Sequence, residues 1–210
     1  MKKIIKPTFL EESKLWNKGI DFVVGIDEVG RGAFAGPIVA AGVIYSSNQN
    51  SKVLCDVNDS KLLKPLLREK CSETVKENAK FYAIESIEID YINKHGIGKA
   101  NTAVFRKVLN KLITKTNITN YFILIDGFHR RYLPGGLKKQ KGIIKGDQKS
   151  LSIASASILA KVYRDNLMKK ANMDYPNYGF SSNKGYGTKS HREALKIYGI
   201  SKFHRIDFVN

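Results

Sequence analysis

The chain has 210 residues, 42% of them hydrophobic, with 36 Lys and Arg against 19 Asp and Glu, a formal net charge of +17. That apolar share excludes bulk disorder, and the length predicts a single domain. Two cysteines, Cys55 and Cys71, exclude a disulfide framework and point to a reducing, cytoplasmic compartment. The longest uncharged stretch, Gly32 to Ser51, contains Pro37 and three glycines and ends in polar residues, so no membrane span is predicted. The basic start, MKKIIKPTFLEES, lacks the apolar region of a secretory signal.

In chain order, Phe22 to Ile26 is a short apolar run that reads as a buried strand and ends at Asp27-Glu28. A Gly-rich turn leads to a second apolar strand, Ile38 to Tyr45, and the tight connection predicts an antiparallel hairpin. Pro65 to Ala79 is charged and helical, with Pro65 suited to the first turn. Lys80 to Ile89 reads as a third strand. Gly98 to Leu112 reads as a helix, because Ala100, Val104, Val108 and Leu112 recur every four residues. Tyr121 to Ile125 is a buried strand ending at Asp126, and Gly142 to Ile144 is a short apolar stretch before Gly146-Asp147. A long helix over Ser152 to Ala171, a Gly-rich loop over Asn177 to Thr188 and a short helix near Ser190 to Tyr198 complete the pattern. The order predicts an α/β domain on a mixed sheet with a helical, basic C-terminal extension.

The positive charge is uneven. Residues 130–210 carry 17 basic and 5 acidic residues, a net of +12, whereas residues 1–129 carry a net of only +5. Tyr163, Tyr175, Tyr178, Phe180, Tyr186 and Phe203 interrupt the basic segment, so it reads as a folded surface with stacking groups for nucleic acid.

Three apolar segments finish in carboxylates: Asp27 with Glu28, Asp126, and Asp147. One aspartate after a strand is ordinary turn chemistry. Four carboxylates gathered at strand ends of a basic protein repel one another unless a cation holds them. Oxygen ligands without His or Cys companions suit Mg²⁺ or Mn²⁺. Two such ions can clamp the attacking and leaving oxygens of a phosphoryl displacement. His95, His129, His191 and His204 are far apart in sequence, with no zinc spacing. GxSxG and P-loop motifs are absent.

The stretch Gly25-Ile26-Asp27-Glu28-Val29-Gly30-Arg31-Gly32, with Ala35-Gly36-Pro37, resembles the opening motif of ribonuclease HII, the type 2 ribonuclease H of bacteria. Further matches follow in the family's order: Asp59-Ser60-Lys61, Asp126-Gly127, Lys145-Gly146-Asp147, Ser157 to Val162 with Arg164-Asp165, Tyr175-Pro176, Asn183 to Thr188 with His191, and His204-Arg205. The resemblance implies a ribonuclease H-like fold, a five-stranded mixed sheet flanked by helices, with a catalytic core over about residues 20–170 and an extension over about 171–210. It implies metal-dependent cleavage of the RNA strand in RNA–DNA hybrids. It also implies incision 5′ of single ribonucleotides in duplex DNA, leaving 3′-hydroxyl and 5′-phosphate ends, by a monomer.

Carried over by residue, Asp27, Glu28, Asp126 and Asp147 match the catalytic, metal-holding acids, with Asp165 as the alternative to Asp147. Gly30, Arg31 and Gly32 match the loop that contacts the ribose 2′-hydroxyl, and glycines there allow close backbone approach. Tyr186 matches the tyrosine that packs on the neighbouring sugar. Lys61, Lys161, Arg164 and Lys184 are expected phosphate contacts. The chain departs from the family pattern at Leu62, where a second lysine is usual, and at Val29, Ala33-Phe34 and Ile206-Asp207. Type 3 enzymes carry an extra N-terminal domain, for which the twenty or so residues before the first strand are too few. Two other readings need less: a non-catalytic duplex or junction binder needs only the basic surface, and a junction resolvase-type nuclease needs no 2′-hydroxyl.

Overall fold

A computed structural model describes residues 6–54, 56–58, 60 and 63–209. The strands are β1 (Phe22–Val29), β2 (Ile38–Ile44), β3 (Phe81–Ile87), β4 (Tyr121–Asp126) and β5 (Gln140–Ile143). They form one sheet in the order β3-β2-β1-β4-β5. β1 pairs antiparallel with β2, and β2 with β3, whereas β1, β4 and β5 run parallel. The expected hairpin and mixed five-stranded sheet are both present.

The helices are α1 (Leu10–Trp16), α2 (Pro65–Asn78), α3 (Ile89–His95), α4 (Ile97–Thr116), α5 (Leu151–Asp174), α6 (Phe180–Asn183), α7 (Lys189–Tyr198) and α8 (Ile206–Val209). α4 covers one face of the sheet: its Ala100, Val104, Val108 and Leu112 pack with Val24, Ile26, Ala40 and Ile125. α5 covers the other face, and its first ten residues, Leu151 to Ala160, are all buried. A helix segment buried on every side lies inside the fold, and its three serines, Ser152, Ser155 and Ser157, are buried with hydrogen-bond partners in Glu12, Tyr45 and Ser60. Gly25 explains how close this layer comes, because a Cβ there would lie 2.3 Å from the backbone carbon of Ser152. Any larger residue would push α5 off β1.

Four helices escape the sequence pattern: α1, α3 and the single-turn α6 and α8. α1 buries a carboxylate, Glu12, so it has no apolar stripe to read. Glu12 Oε1 accepts from the Ser150 and Ser152 hydroxyls and from the Ser152 N–H, which ties α1 to the start of α5. Burial raises its pKa above the ordinary carboxylate value. α3 begins where the predicted third strand was expected to continue, because β3 stops at Ile87. A separate small cluster, Ala35, Met168, Ala171, Tyr178, Phe180 and Ala194, fixes the C-terminal segments against the loop between β1 and β2. Among the described residues, no helix is long and apolar enough to cross a membrane.

Candidate active site

The parallel strands β1, β4 and β5 end at one edge of the sheet and bring their acids there. Ile26 pairs with Ile125, so Asp126 follows next to Asp27. Asp126 in turn pairs with Ile143, a few residues before Asp147. Alternation along β1 sends its two carboxylates to opposite layers. Asp27 is buried and accepts from the Ser157 hydroxyl on α5. Glu28 accepts from Asn101 Nδ2 on α4 at 3.1 Å.

A cavity of about 740 Å³ opens at this edge, and Asp27, Glu28 and Asp126 line it together with Arg31, Lys161 and Tyr186. Burial pushes the Asp27 carboxyl well above its ordinary range, and the neighbouring Asp126 and Glu28 push it further. The three acids are therefore close enough to feel one another. Each is also engaged by a protein donor. Glu28 N–H donates to Asp27 Oδ1 at 2.7 Å, and Gly146 N–H donates to Asp126 Oδ1 at 2.7 Å. Arg130 Nη2 pairs with Glu28 at 3.3 Å while its guanidinium lies 4.6 Å from the buried Phe105 ring. With these contacts made, no three His, Cys, Asp or Glu side chains converge in ion-holding geometry among the described residues. The donor set still fits a hard divalent cation: it is all carboxylate oxygen, partly desolvated and mutually repelling.

Asp147 is buried on the short turn 146–148 after β5 and does not line the cavity; its neighbour Gly146 binds Asp126. Asp165, the alternative, faces cations on its own side of α5. Lys161 Nζ lies 2.6 Å and Arg68 Nη1 3.4 Å from its carboxylate.

The expected substrate-reading groups divide. Arg31 and Tyr186 line the cavity, and so does Lys161, although its ammonium is paired with Asp165. Gly30 takes φ +90°, and a Cβ there would strike the Arg164 side chain at 2.2 Å; Gly32 is exposed with open space beside it. Lys184 lies off the cavity, with Nζ on the Ser181 carbonyl. Lys61 lies outside the described residues, as do Asp59 and Leu62.

Arg164 requires a correction. It is fully buried, not a surface cation. Its guanidinium donates to the carbonyls of Pro37, Ala35 and Lys184 at 2.8–3.0 Å and lies 5.4 Å from the Tyr186 ring. It holds two loops together and cannot reach a phosphate without unfolding them. Arg205 does the same from the C-terminus, donating to the carbonyls of Gly30, Arg31 and Gly36. Burial, with Arg164 nearby, lowers its pKa to about 9.

Arg130, Asn101 and the cavity-lining Phe128 and His129 carried no motif in the sequence. The basic run after Asp126 was the one available signal.

Comparison with known proteins places these features in a family. The ribonuclease HII family model matches residues 24–210. A curated ribonuclease HII of Clostridium perfringens (strain 13 / Type A) is 45% identical over 188 residues; the match covers 90% of this chain and 66% of that protein, so the chain spans slightly less than two thirds of its length. Among solved structures, ribonuclease H2 of Pyrococcus horikoshii OT3 matches with a TM-score of 0.70 at 25% identity, over 89% of this chain and 93% of that one. A Bst ribonuclease HIII solved in complex with Mn²⁺ matches with a TM-score of 0.66 at 20% identity, over 88% of this chain and 65% of that one. The fold is ribonuclease H-like, and with its Asp27-Glu28 and Asp126 edge, its Gly30-Arg31-Gly32 loop and its match from residue 24 to the end, the chain belongs to the ribonuclease HII family.

Proposed function

We propose that this chain is a divalent-metal-dependent endonuclease. It cuts the RNA strand of RNA–DNA hybrids and incises 5′ of single ribonucleotides embedded in duplex DNA, leaving 3′-hydroxyl and 5′-phosphate ends. The observation that carries this reading is the meeting, in one cavity, of Asp27, Glu28 and Asp126 with Arg31 and Tyr186.

Asp27, Glu28 and Asp126, which share the cavity, are the residues to hold Mg²⁺ or Mn²⁺, with Asp147 as the fourth acid, set behind them on the turn whose Gly146 binds Asp126. Bound there, the ions supply a water of lowered pKa and stabilise the leaving 3′ oxygen. Arg130 keeps Glu28 placed against the α4 layer, and Ser157 keeps Asp27 against α5. The Gly30–Gly32 backbone, held from behind by Arg205, presents main-chain groups to the 2′-hydroxyl, the group that separates RNA from DNA. Tyr186, backed by Arg164, offers its ring to the adjoining sugar. The Mn²⁺ complex of the type 3 neighbour supports the ion class.

Substitution of Asp126 by Asn tests the assignment on a DNA duplex with one ribonucleotide. Cleavage in Mg²⁺ or Mn²⁺ is expected to fall by about 100-fold or more, with the duplex still bound. Undiminished cleavage refutes the carboxylate role. Equal cutting of an all-DNA duplex by the wild type refutes the 2′-hydroxyl reading and favours a resolvase-type nuclease.

A further inference from the structure

The loop between β4 and β5 carries two large aromatic rings that the fold leaves outside. Phe128 and Tyr132 are each 75% exposed. They are not on a loose segment. The Gln140 side chain accepts from Arg130 N–H at 2.7 Å and donates to the carbonyls of Arg130 and Gly136 at 2.8 and 3.1 Å. Arg106 donates twice to the Tyr132 carbonyl, at 3.0 and 3.2 Å. Leu133 is buried in the α4-side core, and Arg130 is tied to Glu28. The backbone is pinned between and beside the two rings, yet both face solvent.

Two observations identify what covers them. First, Phe128, His129 and Arg130 line the same cavity as Asp27, Glu28 and Asp126, so the loop is continuous with the candidate active site. Second, no acidic residue occurs from Gly127 to Gly146, and although Arg130 and Lys141 are paired with Glu28 and Glu11, the segment still presents Arg131, Lys138 and Lys145 to solvent. Rigid aromatics interleaved with cations fit a polyanion with flat, apolar bases and sugars. A protein partner would equally use the aromatics but has no general need of this one-signed charge.

We infer that the Phe128–Tyr132 loop is a second nucleic-acid contact surface of the cavity, its two rings packing on bases or sugars while the exposed Arg131 meets a phosphate. This rests on the proposed nuclease reading and extends it. Tyr186 hangs from the α5 layer through Arg164, whereas this loop is anchored on the α4 layer. The two layers would then grip the substrate from both sides of the acids.

The test is fluorescence anisotropy with a labelled DNA duplex bearing one ribonucleotide, without added divalent ion. The double variant Phe128→Ala/Tyr132→Ala is expected to bind about 5- to 30-fold more weakly, with an unchanged dependence on salt. Arg131→Gln is expected to lower the slope of log affinity against log salt by about 1. Phe128→Tyr/Tyr132→Phe, which keeps both rings, is expected to bind within about twofold of wild type. Wild-type affinity in a double variant that melts normally overturns the inference and leaves the rings to a protein partner. A wild type that binds but cuts no duplex in Mg²⁺ or Mn²⁺ refutes the nuclease reading alone, because the binding ratio still decides the surface. A wild type that binds no duplex overturns both.

Discussion

His191 and His204 illustrate how buried hydrogen bonds dictate a protonation state. The Tyr186 carbonyl only accepts, so His191 Nδ1, 2.9 Å away, carries its proton. In neutral His191, Nε2 then accepts, and His204 Nε2 donates to it at 3.0 Å. His204 Nδ1 is left as an acceptor for the Ser201 N–H at 3.0 Å. Every group in the chain is satisfied only while both rings are neutral. Burial, and then the neighbouring His191, push the His204 pKa down from 6.5 to about 4. The unfolded chain therefore takes up this proton first as pH falls. The stability due to His204 is complete above about pH 6.5 and is lost as pH falls toward 4, up to about 3 kcal/mol. Urea unfolding at pH 7 and at pH 4.5 checks this in wild type and in His204→Gln. The wild type is expected to lose more stability over that interval than the variant, and parallel losses refute the account. The acids at the strand ends were legible as residues because each closes an apolar run. Arg164 was not: an arginine on a helix reads as solvated, and its burial depends on carbonyls at Ala35 and Pro37, far away in sequence.

At the scale of elements, the loop after β1 and the loop before α7 behave as one body. Phe34 and Ala35 N–H both donate to the Gly185 carbonyl, at 2.8 and 3.1 Å. Arg205 N–H donates to the Phe34 carbonyl at 2.7 Å, and Gly36 N–H to that of Phe203 at 2.9 Å. Arg164 joins both loops through Ala35 and Lys184 and continues onto Tyr186. Replacing it with Leu takes the donor from two buried carbonyls, of Ala35 and Pro37, and from the part-buried one of Lys184, each buried loss worth about 1–3 kcal/mol. Allowing for relaxation, Arg164→Leu is expected to cost about 3 kcal/mol and lower the melting temperature by roughly 6–12 °C. A thermal melt within about 2 °C of wild type contradicts a clamp. The regular elements were readable from the sequence where one face is apolar, as on α4. The clamp was not, because Gly-rich loops have no period and their partners come from the opposite end of the chain. The same holds for α1, whose buried anchor is Glu12.

Over the whole molecule, the charge of +17 does not translate directly into a binding surface. Within residues 130–210, Arg164 and Arg205 are internal, bonded to backbone carbonyls. Arg130, Lys141, Lys161 and Lys169 are paired with Glu28, Glu11, Asp165 and Glu69. The cations left for a polyanion are those such as Arg31 and Arg131, which are exposed and near the cavity. The field open to a polyanion is thus smaller than the sequence count, and Arg31 is its exposed member in the cavity that the carboxylates line. A footprint of about five phosphates predicts a slope of about −4.5 for log affinity against log salt, or roughly 500-fold weaker duplex binding between 50 and 200 mM. The acids respond differently. Asp27 is buried, and Glu28 is half-buried against Arg130, so salt screens their interactions far less than those of exposed charges. Raising salt should therefore increase KM steeply while kcat at saturating duplex changes little. Steady-state cleavage of a singly ribonucleotide-substituted duplex across that range measures both. A KM that stays flat refutes phosphate-driven binding, and a kcat that falls in step with affinity shows that salt also acts at the carboxylates.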